Sequence, residues 1–311
     1  MCTAIQVTYE GGSVLGRTMD LETPLEYNAL FLPRGYAYAS TLEGEPLTMG
    51  YASLGMCFNN QDPIKDGFNE HGLTGITNDY RPFNIYLKEP EKGYTNLSSL
   101  WFLNYCLSEY RNLEELKDGL KGLRIALKDS NGQDAVSLPF HWMFTDPSGD
   151  LLVIEPKDGK LCVYDNPYRV MTNAPHIESH AKKLERFLEG RELPSINTAK
   201  KLPSGYDPTS RFIRAFMALH KGPWIKTKEE ALSKLYEALH PVRIPENLLE
   251  SETFRADTFT QYVSACDPRD LVLYVQTDKD HNIYHLKLND LLEEKERKAF
   301  FIKRSFKSFP L

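Results

Sequence analysis

The residue with the greatest capacity for chemistry is Cys2, which directly follows Met1. Removal of Met1 would leave Cys2 with a nucleophilic sulfur and a free α-amino group on one residue. A thiol titrates near ~8.5 and an α-amino group near ~7.7–8.0, so a proton can pass between them near neutral pH. The sequence therefore predicts Cys2 as a nucleophile whose own amine is the base. The alternative is a small apolar residue that opens the first strand.

Two further residues are expected beside Cys2, because residues 2–20 read as a β-hairpin. Strand-forming residues precede and follow a Glu-Gly-Gly turn. The returning strand would bring Arg17 and Asp20 back towards Cys2. An arginine near a sulfur favours the thiolate, and an aspartate can accept hydrogen bonds from a terminal amine. The alternative is an ordinary surface salt bridge between Arg17 and Asp20, which would contribute little.

An ordered series of motifs continues along the chain. The motifs are Met-Cys-Thr at 1–3, Gly-Arg-Thr-Met-Asp at 16–20, Leu-Pro-Arg-Gly-Tyr at 32–36, Asp-Gly-Phe-Asn-Glu-His-Gly-Leu at 66–73, Leu-Pro-Phe-His-Trp at 138–142, Ile-Glu-Pro at 154–156, Val-Tyr-Asp-Asn at 163–166, Val-Met-Thr-Asn-Ala-Pro at 170–175, Ser-Arg-Phe-Ile-Arg-Ala at 210–215 and Phe-Thr-Gln-Tyr at 259–262. Together they resemble the choloylglycine hydrolase family, the N-terminal nucleophile hydrolases that include bile salt hydrolases and penicillin V acylases. The resemblance spans nearly the whole chain, and the ordered set is far more specific than any single motif.

The resemblance implies roles for five residues of a catalytic site. Cys2 resembles the nucleophile, and Arg17 and Asp20 resemble the pair that tunes the thiol and anchors the α-amine. Asn173 resembles the asparagine that helps to hold the nucleophile and the oxyanion region. Arg211 resembles the second arginine of the site.

A sixth position is implied as an oxyanion donor, and its place in the chain is open. The family typically has Asn there in bile salt hydrolases and Tyr in penicillin V acylases. Counting without a gap from Gly72 and Leu73 leads to Asp79, whereas one gap leads to Asn78. Asn78 is preferred, because a carboxylate would repel a developing oxyanion.

The reaction that the resemblance implies is hydrolysis of a linear amide through a thioester, with no metal or organic cofactor. The acyl group would be apolar, either aryloxyacetyl as in penicillin V or a steroid acid as in conjugated bile salts. The altered loops favour penicillin V or a general N-acyl amine. Alternatives are acyl-homoserine-lactone or ceramide-like amides, and a non-catalytic binding protein on the same scaffold. Retention of the whole site argues against a binding protein.

The resemblance also implies a homo-oligomer, with one departure from the family pattern. Typical Gram-positive members carry a long loop between the counterparts of Asn173 and Arg211, and it embraces a neighbouring subunit in a tetramer. Here that stretch is reduced to residues 189–206. We therefore expect a dimer or a modified tetramer.

The hydrophobic patterns predict an α+β fold in a single domain over residues 1–311. Helices are predicted at about 97–111, 112–123, 177–188, 210–220, 228–240 and 291–300. Strands are predicted within 141–172 and at about 258–265, 271–276 and 282–288. The resemblance adds the architecture, a four-layer αββα fold with two stacked antiparallel sheets.

The resemblance implies a small-molecule amide as the partner, and composition argues against nucleic acid and membrane partners. The formal net charge of −6 over 311 residues disfavours nucleic-acid binding, and no apolar run is long enough for a membrane span. No signal-peptide pattern precedes the first strand, and the five cysteines show no CxxC spacing, which favours a cytoplasmic protein with reduced thiols. The pairs His176/His180 and His281/His285 lack an evident third metal ligand.

A small basic cluster near the C-terminus, formed by Lys303, Arg304 and Lys307, is interpreted as a solvated face.

Overall fold

Two antiparallel sheets form the centre of the protein. The computed structural model describes residues 1–193, 201–249, 258–302 and 305. The six-stranded sheet contains, in spatial order, Val170–Met171 (β14), Cys2–Tyr9 (β1), Gly12–Leu21 (β2), Phe259–Asp267 (β15), Val272–Thr277 (β16) and Ile283–Lys287 (β17). The eight-stranded sheet contains Lys160–Asp165 (β13), Leu151–Lys157 (β12), Phe140–Thr145 (β11), Thr74–Asp79 (β8), Asp66–Asn69 (β7), Ser53–Phe58 (β6), Tyr27–Leu32 (β3) and Lys298–Phe301 (β18).

Helices cover the outer faces of both sheets. The helices are Phe102–Glu109 (α1), Leu113–Gly119 (α2), Ile177–Leu188 (α3), Pro208–His220 (α4) and Lys228–Leu239 (α5). Helices α1 and α2 pack on the eight-stranded sheet, and α3, α4 and α5 pack on the six-stranded sheet. Two short ribbons complete the strands, an antiparallel one of Ala37–Ser40 (β4) and Pro46–Thr48 (β5) and a parallel one of Thr95–Leu97 (β9) and Leu123–Ile125 (β10).

The layers follow from strands that are buried on both faces. Along β1, Ile5 packs with Phe212 and Leu235 of the helical layer. Its neighbour Ala4 points the other way and packs with Ile76, between the sheets. Alternation with a period of two therefore gives one strand two apolar faces. The predicted α+β fold with two stacked antiparallel sheets between helical layers is confirmed.

Helix α4 carries a predicted site residue, and its start is fixed by local chemistry. The side chain of Asp207 accepts hydrogen bonds from the backbone N–H groups of Thr209 and Ser210, at 3.1 and 3.0 Å. Pro208 occupies the first turn, where its missing N–H costs nothing. The cap therefore sets the position of Arg211, one turn into the helix.

Two predicted helices differ from the structure. The segment 291–300 was expected to be helical, but a 3₁₀ turn at Leu288–Leu291 is followed by strand β18. The free edge of β3 accepts β18 in antiparallel pairing, and tertiary hydrogen bonding overrides the helix propensity of the Glu- and Lys-rich segment. The first predicted helix begins at Phe102 rather than near 97, because residues 95–97 pair with β10. The basic cluster of Lys303, Arg304 and Lys307 lies outside the described residues.

Candidate active site

The predicted hairpin places Cys2 beside Arg17. Cys2 opens β1 and pairs in register with Met19 of β2. Arg17 lies two residues before Met19, so its side chain emerges on the same face of the sheet. Its Nη2 donates to the Cys2 sulfur at 2.6 Å, and Cys2 is only 3% exposed. A buried guanidinium therefore lies directly against the sulfur.

Arg17 is itself fixed by a buried network between the two sheets. Nη1 donates to the carbonyl of Thr77 at 2.5 Å and lies 3.6 Å from the carboxylate of Asp66. Burial works to lower the pKa of Arg17, but the charges of Cys2 and Asp66 outweigh it and raise that pKa. Asp66 also accepts from the hydroxyls of Tyr262 at 2.7 Å and Ser264 at 2.5 Å.

Asn173 and Arg211 hold the backbone of Cys2 rather than its sulfur. Asn173 Oδ1 accepts from the Cys2 nitrogen at 2.8 Å and from Arg211 Nη2 at 2.7 Å. Arg211 Nη1 donates to the Cys2 carbonyl at 2.6 Å and to the Thr3 hydroxyl at 2.7 Å. The nitrogen that would become the free amine after loss of Met1 already has an acceptor.

Asp20 reaches the site through its backbone. Its carbonyl accepts from the Met1 amine at 2.9 Å and lies 4.0 Å from the Cys2 sulfur. Its carboxylate accepts from the hydroxyls of Thr18 at 3.0 Å and Thr260 at 2.6 Å. In the chain that carries Met1, the terminal amine therefore contacts the backbone carbonyl of Asp20, whereas the sequence led us to expect a contact with the Asp20 carboxylate.

Asn78 and Asp79, the two candidates for the oxyanion position, have different surroundings. Asn78 Nδ2 donates to the carbonyl of Thr172 at 2.8 Å, so its amide joins β8 to the end of β14. Asp79 lies on the wall of the cavity that contains Cys2. The Asp79 carboxylate is paired with Arg81 at 2.6 Å, and its backbone carbonyl accepts from Asn173 Nδ2 at 2.8 Å. The choice between Asn78 and Asp79 as the oxyanion position stays a prediction.

A cavity of about 420 Å³ opens onto Cys2. Most of its wall is apolar, from the residues Met19, Leu21, Leu25, Phe58, Pro63, Leu100, Val136, Leu138, Pro139 and Phe140. The charged residues Arg17, Asp20, Lys65, Asp79 and Arg81 also line it. A larger groove of about 850 Å³ lies at the turn end of the β1–β2 hairpin and does not include Cys2.

Several residues of the site had no predicted role. Asp66 lies in a recognised motif, and Tyr262 ends another. The alternation of side chains along a strand places both opposite Arg17, but only once the order of the strands in the sheets is known. Lys65 directly precedes the motif at 66–73, and nothing in the local pattern marks it. Motif membership was therefore the one signal that could have identified Asp66 and Tyr262.

Two of the four histidines considered as metal ligands, His176 and His180, have other partners. His176 lies 3.1 Å from the carboxylate of Glu155 and is hydrogen-bonded to Tyr80. His180 Nε2 donates to the carbonyl of Asn173 at 2.9 Å. Across the described ranges, no group of three or more His, Cys, Asp or Glu side chains is arranged to hold a metal.

Within the described part of the chain, no helix is long and apolar enough to cross a membrane.

Comparisons with known proteins agree with this architecture. A family model, described as linear amide C–N hydrolases of the choloylglycine hydrolase family, matches residues 2–298. The bile salt hydrolase/transferase of Clostridium perfringens is 27% identical over 309 residues, which cover 93% of each protein. A crystal structure of a mutant conjugated bile acid hydrolase from Clostridium perfringens matches with a TM-score of 0.88 and 25% identity, over 100% of each chain. The penicillin V acylase of Agrobacterium tumefaciens shares the fold, with a TM-score of 0.77 and 20% identity over 96% of this chain and 90% of that chain.

The layered fold and these matches define the class of protein as an N-terminal nucleophile hydrolase. More specifically, the chain belongs to the choloylglycine hydrolase family, whose members hydrolyse linear amide C–N bonds.

Proposed function

We propose that Cys2, once Met1 is removed, is the nucleophile of a single-domain amidase for N-acylated small molecules. The observation that carries the proposal is the convergence of three side chains on one residue. Arg17 contacts the sulfur of Cys2, Asn173 accepts from its nitrogen, and Arg211 donates to its carbonyl. A non-catalytic binding protein would have no need to orient both the sulfur and the nitrogen of one buried residue.

The proposed reaction has two halves. In the first, the Cys2 amine takes the thiol proton while the sulfur attacks the amide carbon, and the C–N bond then breaks as the ammonium protonates the leaving nitrogen. In the second, the amine takes a proton from water, whose oxygen attacks the thioester, and the C–S bond breaks as the ammonium returns the proton to the sulfur. Arg17 lies against the sulfur and would offset its negative charge in both halves. Asn173 and Arg211 are positioning residues for the amine.

The oxyanion donor in this proposal is a backbone N–H group rather than Asn78, whose amide is occupied by Thr172. Oriented donors at a developing oxyanion typically contribute ~10²–10³ in rate. The carboxylate of Asp79, also on the cavity wall, would oppose the same charge if Arg81 did not pair with it. We therefore assign Arg81 the role of neutralising Asp79.

The substrate we propose joins an apolar acyl group to an amine through a linear amide. The apolar wall around Cys2 fits an acyl group of the size of a steroid or aryloxyacetyl unit. Conjugated bile salts are the first candidates, because relatives over the full chain length are named bile salt hydrolases. Penicillin V is the second, because the stretch 189–206 departs from the pattern of typical bile salt enzymes.

We also propose that the protein assembles with itself, as a dimer or a modified tetramer. The described end of α3 at Leu188 and the start of α4 at Pro208 leave a short connection between these helices. A long subunit-embracing loop does not fit within this interval.

Amine release tests the proposal directly. Glycocholate, taurocholate, penicillin V and a medium-chain acyl-homoserine lactone would be compared, after mass spectrometry has verified loss of Met1. We expect release from glycocholate and taurocholate, or from penicillin V, and none after Cys2→Ala. Cys162→Ala is the matched control, since this cysteine is also free but lies on β13, away from the cavity. Turnover that survives in Cys2→Ala would refute the assignment of the nucleophile.

A further inference from the structure

Lys65 is a buried cation on the wall of the Cys2 cavity. It directly precedes β7, and its side chain is only 8% exposed. Its Nζ lies 5.3 Å from the centre of the Phe140 ring. Among the described residues, Lys65 Nζ has neither a hydrogen-bond acceptor nor a carboxylate within ion-pair distance. A buried ammonium of this kind is rare, because burial of an unpaired charge is costly.

The other cations of the cavity wall have carboxylate partners. Arg17 lies 3.6 Å from Asp66, and Arg81 lies 2.6 Å from Asp79. Asp66 follows Lys65 in the chain, but its oxygens accept from two hydroxyls and face Arg17. Lys65 is thus the cation of this wall that is left to bind something from outside.

The surroundings of Lys65 penalise its positive charge. Burial, and after it the nearby charge of Arg17, lower the pKa of Lys65 to about 8, while the charges of Cys57 and Asp66 oppose this shift. The ammonium is still the major form at neutral pH. An anion that enters the cavity would relieve this penalty, since it would supply the missing opposite charge.

We propose that Lys65 is a specificity-determining residue that pairs with a carboxylate or sulfonate carried by the amide substrate. The inference rests on the proposed function, because the anion would enter the cavity that leads to Cys2. It divides the candidate amides by charge: anionic conjugates would be preferred over neutral amides such as acyl-homoserine lactones.

The anion could be attached to either half of the amide, and paired substrates distinguish the two cases. Cholylglycine and phenoxyacetylglycine, each paired with its glycinamide analogue, test an anion on the amine half. Glutaryl and pentanoyl p-nitroanilides test an anion on the acyl half. We expect the anionic member of one pair type to be favoured in kcat/KM by about tenfold or more, the size of effect expected for a partly buried charge pair.

Lys65→Met tests the residue itself, because methionine keeps the unbranched stem and removes the charge. In this variant, the ratio of kcat/KM between the anionic and neutral members should fall to within about twofold. The change should come from a lower kcat/KM for the anionic member alone. Lys65→Arg should retain most of the preference. Lys92→Met is the matched control, since it removes one positive charge from an exposed position. A thermal melt of each variant verifies folding.

Two results would overturn the inference. If Lys65→Met leaves the charge preference intact, Lys65 does not read the anion. If it lowers kcat equally for charged and neutral members, Lys65 acts at the reacting carbonyl instead. Binding of the same pairs to Cys2→Ala, measured by calorimetry, gives the charge preference without turnover. A failure of amide hydrolysis in the wild type is therefore distinguishable from a failure of the role of Lys65.

Discussion

At the residue scale, two buried arginines contact different parts of Cys2: one contacts its sulfur and the other its backbone. Arg17 touches the sulfur and an acidic partner, whereas Arg211 touches the Cys2 carbonyl and Asn173. Arg17 places positive charge beside the sulfur, where negative charge develops. Arg211 holds the backbone of Cys2 in position. Substitutions of the two arginines should therefore have different signatures.

Arg17→Met should reduce both activity and stability. We expect amine release to fall by about 10²-fold or more, in line with the loss of an electrostatic contact at a reacting centre. Loss of Arg17 also leaves Asp66 buried without its cation, which should cost about 3–5 kcal/mol in urea unfolding. Adding Asp66→Asn should restore part of the stability and none of the activity. Equal activity of Arg17→Met and wild type would contradict the proposed role.

Lys65→Met should increase stability at neutral pH. A lowering of the pKa of Lys65 from 10.5 to about 8 corresponds to about 3 kcal/mol of unfavourable free energy for the charged form in the folded state. Below pH 8 that cost is fully present. As the pH rises from 8 to 10.5, the folded state is neutral at Lys65 while the unfolded state is still losing its proton, so the cost shrinks.

Urea unfolding of wild type and Lys65→Met across pH 7–10.5 measures this difference. The variant should be more stable by up to about 3 kcal/mol at pH 7, and the gap should narrow as the pH rises. A gap that is constant with pH would show that the ammonium is not the source. Exposed Lys92→Met serves again as the control for a lost charge.

The sequence could predict the residues whose chemistry is local and could not predict those whose partners are distant. Cys2 and Arg17 share one hairpin, so their proximity followed from strand pairing alone. Asn173 and Arg211 were placed by family resemblance, and the structure brings both to the Cys2 backbone. Lys65 was not predicted, because its proposed role depends on its ammonium having no carboxylate partner among the described residues, and the sequence does not show this.

At the scale of elements, the contact between α3 and the site makes stability depend on pH. His180 of α3 is 2% exposed, stacks on Phe212 of α4 and donates to the carbonyl of Asn173. The pKa of His180 is lowered to about 4, mainly by burial; the hydrogen bond to the Asn173 carbonyl opposes this shift, and the charges of Lys183, His141 and Arg211 add to it. The folded state therefore holds His180 neutral.

His180→Gln should flatten the acid side of the stability profile. In the wild type, the contribution of neutral His180 is present above pH 6.5 and is lost as the pH falls through 4, because the unfolded chain binds the proton more readily. The loss is about 3 kcal/mol over this range. Urea unfolding between pH 4 and 7 would measure it. His281→Gln at an exposed position is the control, and identical slopes for His180→Gln and wild type would refute the assignment.

Element prediction succeeded where propensity and tertiary context agree. Helix α3 has the predicted bounds, and α2 begins after the predicted cap, with Asn112 accepting from the N–H of Glu115 at 2.9 Å. The segment 291–300 failed, because its residues favour a helix while the open edge of β3 offers backbone partners to a strand. The residue types within 291–300 do not show that an unpaired strand edge lies nearby.

At the scale of the whole molecule, the two sheets and their helical layers match a full-length relative closely despite 25% identity. The match persists because both faces of each sheet are covered, so the apolar pattern of the strands is constrained everywhere. Connections between helices lie outside that constraint and can shorten without loss of the layers. Assembly should therefore vary more than fold in this family.

The stretch 189–206 makes assembly the property most open to test. We expect a dimer, or a tetramer that dissociates on dilution, because the short connection between α3 and α4 leaves too little chain to embrace a neighbouring subunit. Sedimentation velocity from micromolar to nanomolar protein would measure the species present, with a full-length bile salt hydrolase that carries the long loop as the reference. A tetramer that persists at nanomolar concentration would contradict the expectation. It would also show that the outer faces of the layers, rather than the connection, hold the subunits together.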